Sequence, residues 1–290
     1  KAGNLYIIYY LHKGVDIYMK KVFEREQQMN APSVLICGNG IVGKNINSIF
    51  PWADLYDMDD SGENYYLVNG DRLSPSEYHK KYDFAFVCVP TPAQDETGRC
   101  DTSFVEDVLD KTDASVFIIK STVPPGTTDR LKRATGRNVI FSPEYQGNTR
   151  HANLAYNFVI LGGEKHLISS VAQLYQYAYT GELKIHFTDS VTAELCKYME
   201  NSFLATKVVF CNEFYRIARC LGVSYEELRE LFVADPRVNP SHTFVYERYP
   251  YFDSKCFNKD LPALYAEMKD RGYDADFIKM VCERNESFKK

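Results

Sequence analysis

The amino-acid sequence predicts an α/β protein: a doubly wound parallel sheet, then an all-helical domain built on one long connecting helix. Three observations carry this. From Pro32 onward, short apolar runs alternate with helical patterns, as in a parallel sheet whose strands are joined by helices. The first run, Val34-Leu35-Ile36, opens directly into a glycine-rich turn, Gly38-Asn39-Gly40-Ile41-Val42-Gly43. Further on, Ser190 to Cys220 is one unbroken helical pattern without Pro or Gly. The expected boundaries are 1–30 for an N-terminal extension, 31–188 for the sheet domain and 189–290 for the helical domain.

The chain of 290 residues suits one large or two ordinary domains. A net charge of -5 without a long basic run argues against a dedicated nucleic-acid surface. No apolar stretch approaches the ~20 residues of a membrane helix, and no signal peptide is visible. The cysteines, at 37, 88, 100, 196, 211, 220, 256 and 282, lack C-x-x-C spacing, and several fall on apolar faces. That usage points to a reducing, cytoplasmic compartment, with neither a disulfide framework nor a metal centre.

Within residues 1–30, Leu5 to Leu11 reads as a strand and Val15 to Gln28 as a charged helix. In the glycine turn, Gly38 permits the tight bend, Gly40 admits a pyrophosphate and Gly43 lets helix pack on strand. The amides of the helix start at Ile41 and Val42 then face the phosphates. The next strand, Ala53 to Tyr56, ends at Asp57, nineteen positions after Gly38. An acid at about that distance holds the ribose hydroxyls of NAD. No Arg adjoins Asp57, whose charge would repel a 2′-phosphate, so NAD is preferred over NADP and the sheet is Rossmann-like.

Tyr65 to Val68 follows as an irregular strand or turn, then a polar helix near Pro75. Asp83 to Val89 is a continuous apolar strand ending at Pro90-Thr91-Pro92, and Val105 to Leu109 is helical. Ser115 to Ile119 is a buried strand running into Lys120 to Thr128, a Ser/Thr-rich cap before a helix through Leu131. Val139 to Phe141 ends at Ser142-Pro143-Glu144, and Phe158 to Leu161 is one more strand. Ligands of open α/β sheets bind at the carboxyl ends of strands. Three such ends here carry polar, Pro-punctuated loops, which favours a site over three unrelated turns.

At ~1.5 Å per residue the helix 190–220 is about 45 Å long. Its apolar surface, including Leu195, Met199, Phe203, Phe210 and Phe214, suggests that it joins two halves and offers a homodimer face; a long core helix of a monomer is the alternative. Ser224 and Glu227 form a capping box for the next helix, which ends at Asp235-Pro236-Arg237. Residues 238 to 255 are a Tyr-, Pro- and Phe-rich loop. Cys256 to Asp260 opens a helix over Leu261 to Lys269, and Phe277 to Phe288 is the last.

Several polar residues are candidates for chemistry, each with a structural alternative. Cys256 lies at a loop-to-helix junction beside Lys255 and Lys259, a setting in which a thiol becomes a nucleophile; the alternative is a half-buried packing cysteine. Lys197 and Asn201, four apart, share one helix face, catalytic or merely solvated. Asp260 either sets a carboxylate over the turn of Cys256 or favours the helix N-terminus. Glu144 is either a base or a surface acid.

With the loops, these residues form an ordered set of motifs: GNGIVG, the VPTP strand end, KSTVPPGT, SPE followed by an aromatic, AELCKYMENSFLATK with NE beyond it, DPR, and C-x-x-KD. In this set the chain from Ser33 to Lys290 resembles the UDP-glucose/GDP-mannose dehydrogenase family. The resemblance implies oxidation of the C6 alcohol of a nucleotide sugar, such as UDP-glucose, to a carboxylate with two NAD. It implies that Cys256 captures the C6 aldehyde as a thiohemiacetal that is oxidised to a thioester. Lys197 and Asn201 would steady the oxyanion, and Asp260 would manage protons with Lys197. Thr122 and Glu144 would hold a water near C6. Val89, Pro90, Thr91, Ser121 and Thr122 would line the dinucleotide beside Gly38, Gly40, Ile41, Val42, Gly43 and Asp57. Tyr145, Gln146, Lys197 and Asn201 would meet the sugar, with Arg237 arriving from across a dimer.

The sequence departs from the family pattern in four places. A third, nucleotide-gripping domain is expected to be absent. The glycine-rich approach to the catalytic cysteine is replaced by Tyr251-Phe252-Asp253-Ser254-Lys255-Cys256, whose side chains are expected to crowd the sugar. Asn148 stands where the family has Glu, and Asn157 where it has Arg. Two other functions therefore stand beside the first: a shortened, non-catalytic relative kept for binding or assembly with a residual NAD site, and a dehydrogenase of a smaller alcohol or aldehyde.

Overall fold

The computed structural model describes residues 31–94, 97–145, 157–179 and 181–289. The expected strand and helix of residues 1–30, together with Gln146 and Asn148, lie outside the described residues. The first half of the chain comprises β1 (Val34–Cys37), α1 (Ile41–Ile49), β2 (Asp54–Met58), β3 (Asn64–Val68), β4 (Asp71–Leu73), β5 (Lys81–Val87), α2 (Ser103–Lys111) and β6 (Asp113–Ile119). It continues with α3 (Thr127–Thr135), β7 (Val139–Phe141), β8 (Phe158–Gly162), α4 (Lys165–Ala178) and β9 (Lys184–Thr188).

The strands form one sheet in the order β4-β3-β2-β1-β5-β6-β7-β8-β9. Pairings β2–β1, β1–β5, β5–β6 and β6–β7 are all parallel. The chain leaves β1 for β2 on one side and reaches β5 on the other, so the strand order reverses between β1 and β5. A crevice opens there at the carboxyl ends, where such folds take their ligands.

The strands are apolar at successive positions because both faces are covered. Leu35, Cys37, Ala85, Val87, Phe117 and Ile119 pack on one face with Val105, Val108, Leu109 and Leu131 of α2 and α3. The alternate residues, Val34, Ile36, Phe86, Ile118 and Ile140, pack on the other with Ile46, Leu167, Ile168 and Val171 of α1 and α4.

The sheet is mostly parallel, as expected, and antiparallel pairings are added towards its two edges. After β2 the chain returns as an antiparallel hairpin, with β3 on β2 and β4 on β3. Its turn is Asn69-Gly70, both with positive φ (52° and 91°), the geometry whose twist suits a two-residue hairpin. The expected helix near Pro75 is a single turn, with Glu77 and Tyr78 N–H both bonded to the Ser74 carbonyl. At the other edge β8 runs antiparallel to β7, and β9 parallel to β8. Neither α4 nor β9 was expected from the sequence, although Leu167, Ile168, Val171, Ala172, Leu174 and Tyr175 of α4 repeat at helical spacing and are buried.

The second half comprises α5 (Ser190–Leu221), α6 (Tyr225–Val233), α7 (Lys255–Asp270) and α8 (Asp276–Ser287). Asp189 caps α5 by accepting the Thr192 N–H, and Gly222 closes it in the left-handed conformation. Ser224 caps α6 by accepting the Glu227 N–H. The first turns of α5 lie on the sheet, where a Cβ at Gly162 would fall 2.5 Å from the Ala193 Cβ. Its later turns pack with α7 and α8 around Ala205, Val209, Phe257, Leu261 and Val281. Leu195, Met199, Phe203, Phe210 and Phe214 of α5 are exposed. Among the described residues no helix is long and apolar enough to cross a membrane, and no group of three or more His, Cys, Asp or Glu is placed to hold a metal ion. The cysteines are free thiols.

Candidate active site

The crevice is shaped mainly by backbone. Gly38 has φ 97°, and a Cβ there would lie 2.7 Å from the Cys88 carbonyl oxygen just beyond β5. A Cβ on Gly43 would sit 1.8 Å from the Gly38 carbonyl oxygen. At both positions only glycine fits. At Gly40 a Cβ would meet nothing within 4 Å, so this side of the turn is open. Gly40 is the N-cap of α1; no side chain caps the helix and no acid stands in its first turn. Uncapped amides facing an open glycine turn suit a pyrophosphate. Asp57 completes the fit: its Oδ2 accepts the Asn39 N–H at 3.0 Å and its Oδ1 the Met58 N–H at 2.9 Å. Its carboxylate is therefore held beside the turn by backbone amides, where a ribose diol would be met.

The loops after β5 and β6 are tied to one another. The Ser121 hydroxyl donates to the Val89 carbonyl at 2.6 Å, and the Thr91 hydroxyl to the Thr122 carbonyl at 2.8 Å. Pro90 is exposed, while Thr91 and Ser121 are buried. From Thr91 the network crosses to the helices: Lys259 Nζ of α7 donates to Thr91 Oγ1 at 3.3 Å and also bonds Asp260. Asp260, 1% exposed, receives on its other oxygen the Asn201 Nδ2 of α5 at 2.6 Å. Asn201, Asp260, Lys259, Thr91 and Thr122 are thus one hydrogen-bonded chain across two strand ends and two helices. Cys256 lies one turn before Asp260, exposed in the first turn of α7. Its backbone N–H is taken by the capping Ser254 hydroxyl at 3.2 Å.

Lys197, one turn before Asn201, is engaged elsewhere. Its ammonium donates to Glu200 at 2.5 Å and lies 4.8 Å from the centre of the Tyr145 ring. The Tyr145 hydroxyl lies 3.6 Å from the Cys196 sulfur. The expected working pair of Lys197 with Asp260 is absent here: each is satisfied by a different neighbour. Glu144 pairs at 3.4 Å with Lys120, a buried lysine whose ammonium also donates to the Pro143 carbonyl at 3.2 Å. Burial works against that ammonium, but Tyr175 and Glu144 outweigh it and hold Lys120 above the usual lysine range. Burial pushes the nearby Cys88 thiol up to about 12.

Arg237 is exposed and folds back onto Asp235, its Nη2 donating at 2.6 Å, away from this network. Phe252, one of the side chains expected to crowd the sugar, turns into the core of the helical half. It is buried against Phe257, with its backbone N–H and carbonyl both bonded to Asn285, so the segment before Cys256 is anchored to α8. The sequence suggests no role for Glu200 or Lys120, and for Lys259 only one beside the Cys256 thiol, not the bridge to Thr91 and Asp260. The available signal was a lysine directly following the apolar strand Phe117-Ile118-Ile119, and a Lys-Asp pair one turn past the cysteine.

Residues 191–287 match the central domain of the UDP-glucose/GDP-mannose dehydrogenase family, and residues 68–179 match that family's NAD binding domain. The UDP-glucose 6-dehydrogenase of Rickettsia bellii is 29% identical over 223 residues, 72% of this chain and 50% of that protein. The UDP-N-acetyl-D-mannosamine dehydrogenase of Methanocaldococcus jannaschii is 30% identical over 233 residues, 76% of this chain and 54% of that one. The chain thus spans about half the length of these relatives. Among solved structures, the UDP-D-ManNAc dehydrogenase of Pyrococcus horikoshii superposes with a TM-score of 0.70 at 25% identity, over 88% of this chain and 68% of that one. The UDP-glucose dehydrogenase of Pyrobaculum islandicum shares the fold, with a TM-score of 0.72 at 22% identity over 89% of this chain and 68% of that one. With both halves matched, and with the glycine turn and its acid built for a dinucleotide, the chain belongs to the UDP-glucose/GDP-mannose dehydrogenase family.

Proposed function

We propose that this chain carries the NAD site and reacting groups of a dehydrogenase that oxidises the C6 alcohol of a nucleotide sugar, UDP-glucose first among them, to the carboxylate. The observation that carries this is the exposed Cys256 one helical turn from a buried carboxylate, Asp260, that is bonded through Lys259 and Thr91 to the loop beside the dinucleotide crevice. NAD, when bound, supplies the hydride acceptor for two successive oxidations. The Cys256 thiolate adds to the aldehyde carbon from the first oxidation, giving a thiohemiacetal whose loss of a second hydride leaves a thioester. Water then cleaves the thioester, returning the thiol and releasing the acid. Asn201 donates to the oxygen at C6 while anchored on Asp260, and Lys197 adds positive charge on turning from Glu200. Glu144 and Thr122 position the hydrolytic water, and Tyr145, Gln146 and Arg237 meet the sugar.

The sheet domain 31–188 and the helical domain 189–290 divide these tasks between cofactor and chemistry. The exposed apolar stripe of α5 supports a homodimer, and the free thiols support a cytoplasmic setting. A second reading, a non-catalytic relative with a residual NAD site, is favoured by Tyr251, Asp253 and Ser254 standing where the family has glycines and by the Lys197–Glu200 pair. Screening nucleotide sugars for NADH formation decides between them. Oxidation of UDP-glucose that disappears in Cys256→Ser supports the enzyme. NAD binding without turnover of any nucleotide sugar supports the second reading.

A further inference from the structure

The loop from Lys120 to Thr128 carries Ser121 and Thr122, yet it has little means of holding itself. Pro124 and Pro125 lack N–H groups, and the N-cap of α3 is Gly126, with φ 95° and no side chain. The Thr127 N–H turns back to the Pro124 carbonyl at 3.0 Å, but those of Gly126 and Thr128 are satisfied from elsewhere in the fold. Glu194, on the second turn of α5, has no exposed surface. Its Oε2 accepts the Gly126 N–H at 2.5 Å. Its Oε1 accepts both the Thr128 N–H at 2.8 Å and the Thr128 hydroxyl at 2.6 Å. One buried carboxylate, 66 to 68 residues away in the chain, therefore serves as the cap that α3 lacks. Two flanking bonds keep the register: Ser190 Oγ donates to Asp129 Oδ1 at 2.6 Å, and Nη2 of Arg271, the C-cap of α7, donates to the Pro125 carbonyl at 2.8 Å.

The position of Glu194 on its helix gives this cap a wider consequence. Residues 194, 197 and 201 are spaced i, i+3 and i+7, so they lie along one face of α5. The carboxylate that holds the loop, the ammonium of Lys197 and the amide of Asn201 are thus presented by the same rigid stretch of helix. We propose that Glu194 is a positioning residue: by capping α3 in trans it sets the Ser121–Thr122 loop in register with Lys197 and Asn201, coupling the cofactor side of the site to its reacting side. This rests on the proposed NAD-dependent reading, in which Ser121 and Thr122 line the dinucleotide as the family resemblance implies.

Amide hydrogen exchange and NAD affinity test it together on the full chain. In Glu194→Ala, exchange at Gly126 and Thr128 rises at least tenfold while Leu35 and Phe86 in the sheet stay protected. NAD binds about tenfold more weakly, the scale of one lost charge-assisted hydrogen bond. Glu194→Gln keeps an acceptor for Thr128 but presents an amide to Gly126, so Gly126 exchanges faster, Thr128 remains protected and affinity falls by an intermediate amount. Glu194→Asp, too short to reach, behaves like the alanine variant. If Glu194→Ala does not fold, the glutamine variant and Thr128→Val carry the same two readouts. Unchanged exchange at Gly126 overturns the cap. Accelerated exchange with wild-type NAD affinity overturns the coupling, because a purely structural cap would loosen the loop and lower the melting temperature without touching cofactor binding. Failure of the wild-type chain to bind NAD overturns the functional reading instead, while the exchange data still decide the cap.

Discussion

The two sides of the candidate site are built by different means. The crevice between β1 and β5 is made of backbone, with glycines where a Cβ would strike a carbonyl and one carboxylate, Asp57, held by amides. The face between α5 and α7 is made of charged and polar side chains drawn from distant parts of the chain, each satisfied by another, as Asn201, Asp260 and Lys259 are. A backbone site fails by steric exclusion and should lose binding. A side-chain site fails by leaving a buried group without its partner, and should lose turnover and stability.

Four perturbations sharpen this contrast. The largest effect is expected at Cys256→Ser: turnover of the nucleotide sugar falls by about a thousandfold or more, since the hydroxyl is a far poorer nucleophile than the thiolate. Calorimetric NAD affinity should stay as it was, and a parallel loss of affinity would erase the division between the two sides. Asp260→Asn comes next. It leaves Lys259 facing a neutral amide in a buried setting, at a cost of about 3 kcal/mol, read as a lower denaturation midpoint.

The third perturbation is pH. Burial pushes the Glu194 carboxyl up to about 7, against the bonds from Thr128 and Gly126 that pull it down. The folded value therefore lies above the ordinary unfolded value, so the stability from this group is fully present below pH ~4.5 and is lost as pH rises through about 7. Raising pH from 4.5 to 8 should shift unfolding free energy against the wild type, relative to Glu194→Gln, by about 3 kcal/mol. A difference that is flat with pH would show that the carboxylate is ionised throughout, held by its three donors. The smallest effect is expected at Asp57→Ala: NAD affinity falls at least about tenfold through loss of the ribose bonds, and unfolding free energy falls by about 1 kcal/mol, because the Asn39 and Met58 N–H groups lose their acceptor.

The parts of the fold legible in the sequence were those encoded locally. Val34 to Ile36 running into Gly38, the acid at Asp57 and the capping Ser224 all appear where their spacing puts them. The hairpin at Asn69-Gly70 carries an equally local signal, although Tyr65 to Val68 alone reads as an irregular strand or turn. The helix α4 also has its apolar period in the sequence. Of the candidate site, residue types were legible and partners were not. The family resemblance pairs Lys197 with Asp260, whereas packing gives Lys197 to Glu200, three positions on, and Asp260 to Asn201, 59 positions away, and to Lys259.

By itself the sequence determined the alternation of strand and helix, the glycine turn and the length of α5, because period, chain stiffness and turn chemistry act over a few residues. Tertiary structure alone decided which buried charges meet. Glu194 reaches the amides of Gly126 and Thr128 only because α5 lies across the start of α3, and Lys259 reaches Thr91 only because α7 lies over the end of β5. A hydrogen bond depends on a few tenths of an ångström, and over tens of residues such distances are set by how helices and sheet pack and not by the spacing of letters.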